Sequence, residues 1–138
     1  MRARAFVDTN VLVYAVDAAE ERRRGIARAV LSEGADRGLV ISTQVISEFL
    51  VAVRRLAVPV DPGPARALVT ELVRGVEIHV PSAADVLAAA ERAARDGLHH
   101  HDALIVQSAL ASGCDVLLTE DLQHGRRYDG LEVTDPFR

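Results

Sequence analysis

Four carboxylates stand at points where the chain changes character. Asp8 ends the apolar run Ala5-Phe6-Val7 and is followed by Thr9 and Asn10. Glu48 sits at the border of an apolar helical stripe formed by Val45, Ile46, Phe49, Leu50 and Val53. Asp102 directly precedes Ala103-Leu104-Ile105-Val106, and Asp121, with Glu120 beside it, follows Val116-Leu117-Leu118-Thr119. Taken singly, each acid reads as a helix cap or a solvent-facing charge. Gathered in one crevice they would repel, at about 4 kcal/mol per pair for ~4 Å and an effective dielectric of ~20. No lysine exists to offset this, since all 16 basic residues are arginine, and none stands beside the acids except beyond Asp121. A hard divalent cation is the natural partner. Mg²⁺, with Mn²⁺ as substitute, prefers oxygen ligands, and Mg²⁺ keeps waters that a substrate phosphate can replace. The chemistry such ions supply is activation of water against a phosphodiester.

The elements that must position these acids follow from the apolar pattern. Ala3 to Val7 reads as a buried strand and Asn10, a good N-cap, as the start of a helix to about Val16. Glu20 to Asp36 reads as a second helix, ended by Gly38, and Leu39-Val40-Ile41 as a second strand. Ser42 or Thr43 then caps a third helix through about Leu56. After Pro59 and Pro62, Pro64 suits the first turn of a fourth helix to about Arg74. Val76 to Val80 alternates into a third strand. Ser82 with Asp85 resembles a capping box opening a fifth helix to Arg95, stopped at Gly97. His99-His100-His101 reads as an exposed loop, Ala103 to Ala111 as a sixth helix, Val116-Leu117-Leu118 as a fourth strand and Leu131-Glu132-Val133 as a fifth.

Strands alternating with helices predict an α/β fold, a mainly parallel central sheet with helices on both faces. If the winding reverses between the first and fourth strands, the carboxyl ends of both open on one crevice. The 138 residues fit one domain with a real core. The chain opens on its first strand, which leaves no signal peptide, and no apolar run approaches the ~18 residues that span a bilayer. Cys114 has no partner for an internal disulfide and reads as a small buried residue. A reducing, cytoplasmic setting is expected. The net charge of -4 argues against a protein covered in positive potential. It leaves room for a nucleic-acid site whose acids are neutralised by metal.

Phe-Val-Asp-Thr-Asn at 6–10, Val-Ile-Ser-Glu-Phe at 45–49, Asp-Ala-Leu-Ile at 102–105 and Leu-Leu-Thr-Glu-Asp-Leu-Gln-His-Gly at 117–125 form a set in fixed order over nearly the whole chain. Each motif is weak and the set is strong. It resembles the PIN-domain proteins, specifically the VapC-type toxins of VapBC toxin–antitoxin pairs. The resemblance implies a single three-layer PIN-like nuclease domain over residues 1–138 that cuts RNA with Mg²⁺ or Mn²⁺. It makes Asp8, Glu48, Asp102 and Asp121 the catalytic and metal-binding quartet. Thr9 or Thr119 would position a metal-bound water, and Asn10 would hold the first loop. It also implies a homodimer and a cognate VapB-type antitoxin that masks the site. His99-His100-His101 departs from the family pattern, where aromatic or small polar residues are usual. The three imidazoles suit a metal or RNA, and the plainer reading is an incidental exposed loop. His79 reads as a strand residue, and His124 lies in a family-like loop near Asp121.

Three other functions compete. An aspartyl phosphatase of the haloacid-dehalogenase type wants a second acid where Asn10 stands, and a downstream lysine. A phospho-acceptor receiver domain also depends on a lysine, which is missing. A non-catalytic PIN-like module binding RNA or protein would be signalled by loss of quartet members, and all four are present. RNA selectivity would fall to loops and to the clusters Arg22–Arg24 and Arg54–Arg55, since arginine suits phosphate through its planar fork.

Overall fold

The computed structural model describes residues 4–138. Strand β1 is Ala5–Val7, so Ala3, the expected start of that strand, lies outside the described residues. The other strands are β2 (Leu39–Ser42), β3 (Glu77–His79), β4 (Val116–Leu118), β5 (Arg127–Tyr128) and β6 (Leu131–Thr134). They form one sheet in the order β3-β2-β1-β4-β6-β5, parallel except for the antiparallel β5–β6 pair. The short runs Ala5-Phe6-Val7 and Leu39-Val40-Ile41 are fully buried, as strands covered on both faces must be.

Seven helices accompany the sheet among the described residues: α1 (Thr9–Tyr14), α2 (Glu21–Ser32), α3 (Gly34–Arg37), α4 (Thr43–Ala52), α5 (Pro62–Gly75), α6 (Ala83–Asp96) and α7 (His100–Ala111). Chain order and strand order together locate them. From β1 the chain winds outward through β2 to β3, then crosses back to β4 on the other side of β1. With right-handed crossovers, α1–α5 cover one face and α6–α7 the other. Helix contacts agree: α1 packs on α2 and α4, α4 on α5, and α6 on α7. The winding reverses between β1 and β4, as the alternation of elements implies, so the crevice opens at the carboxyl ends of these two neighbours. No helix is long and apolar enough to cross a membrane among the described residues.

Several boundaries differ from expectation for physical reasons. The N-cap of α1 is Asp8, not Asn10: Asp8 keeps extended backbone, and its carboxylate accepts from Thr9 N–H at 2.7 Å. α1 stops at Tyr14 rather than Val16. The expected helix over 20–36 is two, interrupted at Glu33. The third expected helix ends as α at Ala52 and tightens into a single 3₁₀ turn, Val53–Arg55. α5 starts at Pro62 with Asp61 at its N-cap position, which places Pro64 in the first turn as the sequence suggests. The histidine run is not a loop: His99 takes the N-cap position of α7, and His100 and His101 form its first turn, exposed. Strand β5 is additional, closed onto β6 by Asp129 and Gly130 at φ 50° and 91°. The capping box of Ser82 and Asp85 and the left-handed Gly97 are as the sequence suggests.

Candidate metal centre at the β1–β4 crevice

The register of the sheet builds the centre of the site. Val7 pairs with Leu118, so the next residues, Asp8 and Thr119, stand side by side where β1 and β4 end. Asp8 N–H continues the ladder to the Leu118 carbonyl at 3.0 Å. The Thr119 hydroxyl, wholly buried, donates to Asp8 Oδ2 at 2.8 Å. It also accepts from Asn10 Nδ2 at 2.9 Å and from Asp121 N–H at 3.1 Å. Asn10 reaches on to Asp121 Oδ2 at 3.1 Å, and its own Oδ1 accepts from Glu120 N–H. Asn10 thus clasps the loop after β4 to the start of α1.

Glu48 arrives from α4, which packs across α1. Its Oε2 accepts from the Thr9 hydroxyl at 2.8 Å and its Oε1 from Gln44 Nε2 at 3.0 Å. Gln44 also donates to the His101 carbonyl at 3.1 Å, tying α4 to the first turn of α7, which carries Asp102. The half-buried Asp102 carboxylate accepts no hydrogen bond among the described residues. Asp121 is the exposed member.

The four carboxylates lie in one another's field. Asp8 is 5% exposed, and its carboxyl is pushed up to about 7. Burial is the largest cause, opposed by the hydrogen bonds from Thr119 and Thr9 and reinforced by the charges of Asp121 and Glu48. Asp102 is also raised, by burial first and then by Asp121, with Glu48 adding to it and His99 and His101 pulling down. The arginine that reaches this end, Arg23, is engaged elsewhere: it lies over the Tyr14 ring and pairs with Glu20 and with Glu120, which in turn accepts from Tyr14 Oη at 2.5 Å. The carboxylates and hydroxyls of the crevice offer oxygen, which hard divalent cations prefer, and His101 Nδ1 lies 3.8 Å from Glu48 Oε1. No three Asp, Glu, His or Cys side chains among the described residues stand close enough around one point to hold an ion alone.

Gln44 stands one helical turn before Glu48 and Glu120 beside Asp121, but the ties of Gln44 to His101 and of Glu120 to Tyr14 join residues distant in the chain and leave no local signal. Arg22 donates to the Phe137 carbonyl at 2.6 Å and Arg24 to those of Asp17 and Ala18. His124 accepts from Asp135 N–H at 3.0 Å, and His79 faces Asp85 at 3.1 Å. A hollow of about 400 Å³ lined by Leu12, Phe49, Leu72 and other apolar side chains has none of the four acids in its wall. With almost no polar groups to orient a substrate, it is not the centre of chemistry.

A doubly wound α/β protein with an acidic crevice at its switch point is the class these features define. Within it, this chain belongs to the PIN-domain family, whose model matches residues 5–130. No curated protein matches it in sequence. Among solved structures it is similar to VapBC2 from Rickettsia felis, determined bound to a promoter DNA fragment: 20% identity, 95% of this chain and 98% of that chain covered, TM-score 0.63. It is similar to VapC20 from Mycobacterium tuberculosis, a toxin that cleaves the sarcin–ricin loop: 20% identity, coverage 85% and 91%, TM-score 0.69. DNA-bound VapBC from Salmonella typhimurium shares 19% identity over 97% and 98% of the two chains, TM-score 0.68. At these identities the likeness is one of fold.

Proposed function

We propose that residues 1–138 act as one PIN nuclease domain, an Mg²⁺- or Mn²⁺-dependent endoribonuclease and the toxin of a type II toxin–antitoxin pair. The observation that carries this reading is the crevice itself: acids from four separate stretches, with Asp8 pushed up to about 7 by burial and then by the charges of Asp121 and Glu48. Asp8, Glu48, Asp102 and Asp121 would hold the ion, which when bound supplies an activated water and neutralises charge on the phosphodiester. Thr119 and Thr9 orient the carboxylates of Asp8 and Glu48, and Asn10 keeps Asp121 turned inward. The similar solved structures that are toxin–antitoxin complexes support a VapB-type antitoxin as partner. A homodimer is what the family resemblance implies. The cytoplasm is the compartment in which such a toxin meets its RNA.

Cleavage of labelled cellular RNA should require Mg²⁺, stop with chelator and stop with Asp8→Asn. Equal cleavage under all three conditions would refute the reading. A non-catalytic module would take up no Mn²⁺ that Asp121→Asn abolishes in a calorimetric titration.

A further inference from the structure

Most arginines of this chain are engaged by carboxylates, carbonyls or a ring, as at Arg22, Arg23, Arg92 and Arg126. Arg54, Arg55 and Arg66 are not: all three are exposed, and their guanidinium groups make no hydrogen bond or ion pair among the described residues. They nevertheless converge on one concavity of about 610 Å³, lined otherwise by Leu50, Val51 and Pro62, with no acid in its wall. The fold holds these like charges together. Arg54 and Arg55 form the 3₁₀ turn that ends α4, and Arg66 sits in the second turn of α5. The connection is closed by Val60 N–H on the Val53 carbonyl at 3.0 Å and stiffened by Pro59 and Pro62. The start of α5 adds the positive end of its dipole.

The concavity is continuous with the acidic crevice. Arg55 also lines an adjoining hollow with Ser47 and Glu48, and Glu48 lines the hollow that holds Thr9, Asn10 and Asp121. Seven residues separate Glu48 from Arg55, on the order of 10 Å along the helix. We propose that Arg54, Arg55 and Arg66 form a phosphate-binding subsite that grips the RNA backbone beside the acidic site. This rests on the ribonuclease reading above. A net charge of -4 gives the chain no general pull on polyanions, so the grip is local. Guanidinium forks hold phosphate oxygens in pairs, which fixes the strand's path as well as its affinity.

The test uses the full chain in chelator with a fluorescein-labelled single-stranded RNA, followed by anisotropy over a range of salt. Each phosphate contact on a single strand contributes about 0.7 to the slope of log K against log salt. The triple variant Arg54→Gln, Arg55→Gln, Arg66→Gln is expected to lower that slope by about 2 and to weaken binding on the order of a hundredfold at 0.1 M salt. Arg74→Gln, at the far end of α5, should change neither. With Mg²⁺ the triple variant should raise KM for long RNA at unchanged kcat, and cut a dinucleotide, too short to reach the trio, as the parent does. An unchanged slope and affinity in the triple variant, in a parent that binds and cuts RNA, overturns the subsite and leaves the ribonuclease reading standing. An equal loss of binding to polyglutamate of matched charge assigns the patch to an acidic protein and also overturns it. A parent chain that neither binds nor cuts RNA with Mg²⁺ removes the ribonuclease reading itself.

Discussion

Replacing Asp8 by Asn in the metal-free protein should stabilise it at neutral pH, although it removes a hydrogen-bonded residue from the centre of the sheet. Burial and the charges of Asp121 and Glu48 push the Asp8 carboxyl from 3.8 to about 7. The folded chain therefore holds a proton that the unfolded chain releases. Stability from that proton is fully present below 3.8 and is lost as pH rises through about 7. At ~1.4 kcal/mol per pH unit the loss approaches ~4 kcal/mol in an unrelaxed site, and relaxation brings the expectation to about 2–4 kcal/mol. Asn carries no charge to lose. It resembles the protonated acid and can still accept from Thr9 N–H. In a chain of this size ~1 kcal/mol moves Tm by about 4 °C, so the variant should melt roughly 8–15 °C above the parent at pH 8. The assay is thermal unfolding in chelator from pH 4 to pH 8. The gap between the proteins should be small at pH 4, grow to about pH 7 and then level. Added Mn²⁺ should narrow the gap and, near a thousand times its Kd, close or reverse it, because an ion that binds only the folded parent stabilises it by about 2.7 kcal/mol at one hundred times its Kd and about 4.1 kcal/mol at one thousand. A variant no more stable than the parent at pH 8 in chelator, or a gap independent of pH, would refute the reasoning.

Two further outcomes follow from particular contacts. Gln44→Ala cuts the tie between Glu48 and the His101 carbonyl. It should weaken Mn²⁺ binding by about tenfold or more while costing under ~1 kcal/mol of stability, because groups behind a ligand set its orientation. Calorimetric titration beside urea unfolding checks both halves. Gly130→Ala places a Cβ at φ 91° in the β5–β6 turn, and the unfolding free energy should fall by about 1–2 kcal/mol with metal affinity unchanged.

The parts legible in the sequence were those written in apolar runs. Ala5-Phe6-Val7 and Val116-Leu117-Leu118 are continuous because both faces are buried, and each ends where a polar residue meets the crevice. Cap residues were less legible. Asp8, Thr9 and Asn10 are all competent near a helix start, and only the backbone decides which one caps. Asp8 takes the cap, which frees Asn10 to span from α1 to the loop after β4. Strand β5 escaped notice because it has two residues, although Asp129-Gly130 is a strong hairpin signal. The histidine run hid a helix start because histidine caps poorly, while Asp102 in that first turn suits the helix dipole. The ties of Gln44 to His101 and of Tyr14 to Glu120 were invisible because no local period joins residues 57 or 106 apart.

The crevice sets folding against charge. Thr119 satisfies Asp8, Asn10 and the Asp121 backbone through one hydroxyl, so the first and fourth strand ends form a rigid seat. Yet those bonds only partly offset the burial of Asp8, which stays near 7 despite them. A fold optimised for stability alone would place a neutral side chain there. Retaining a buried acid beside three others makes sense if a cation completes the site, since the energy withheld from folding returns as affinity for the ion. Metal affinity and metal-free stability should therefore move in opposite directions at Asp8. At Gly130, remote from the crevice, a substitution should move stability alone.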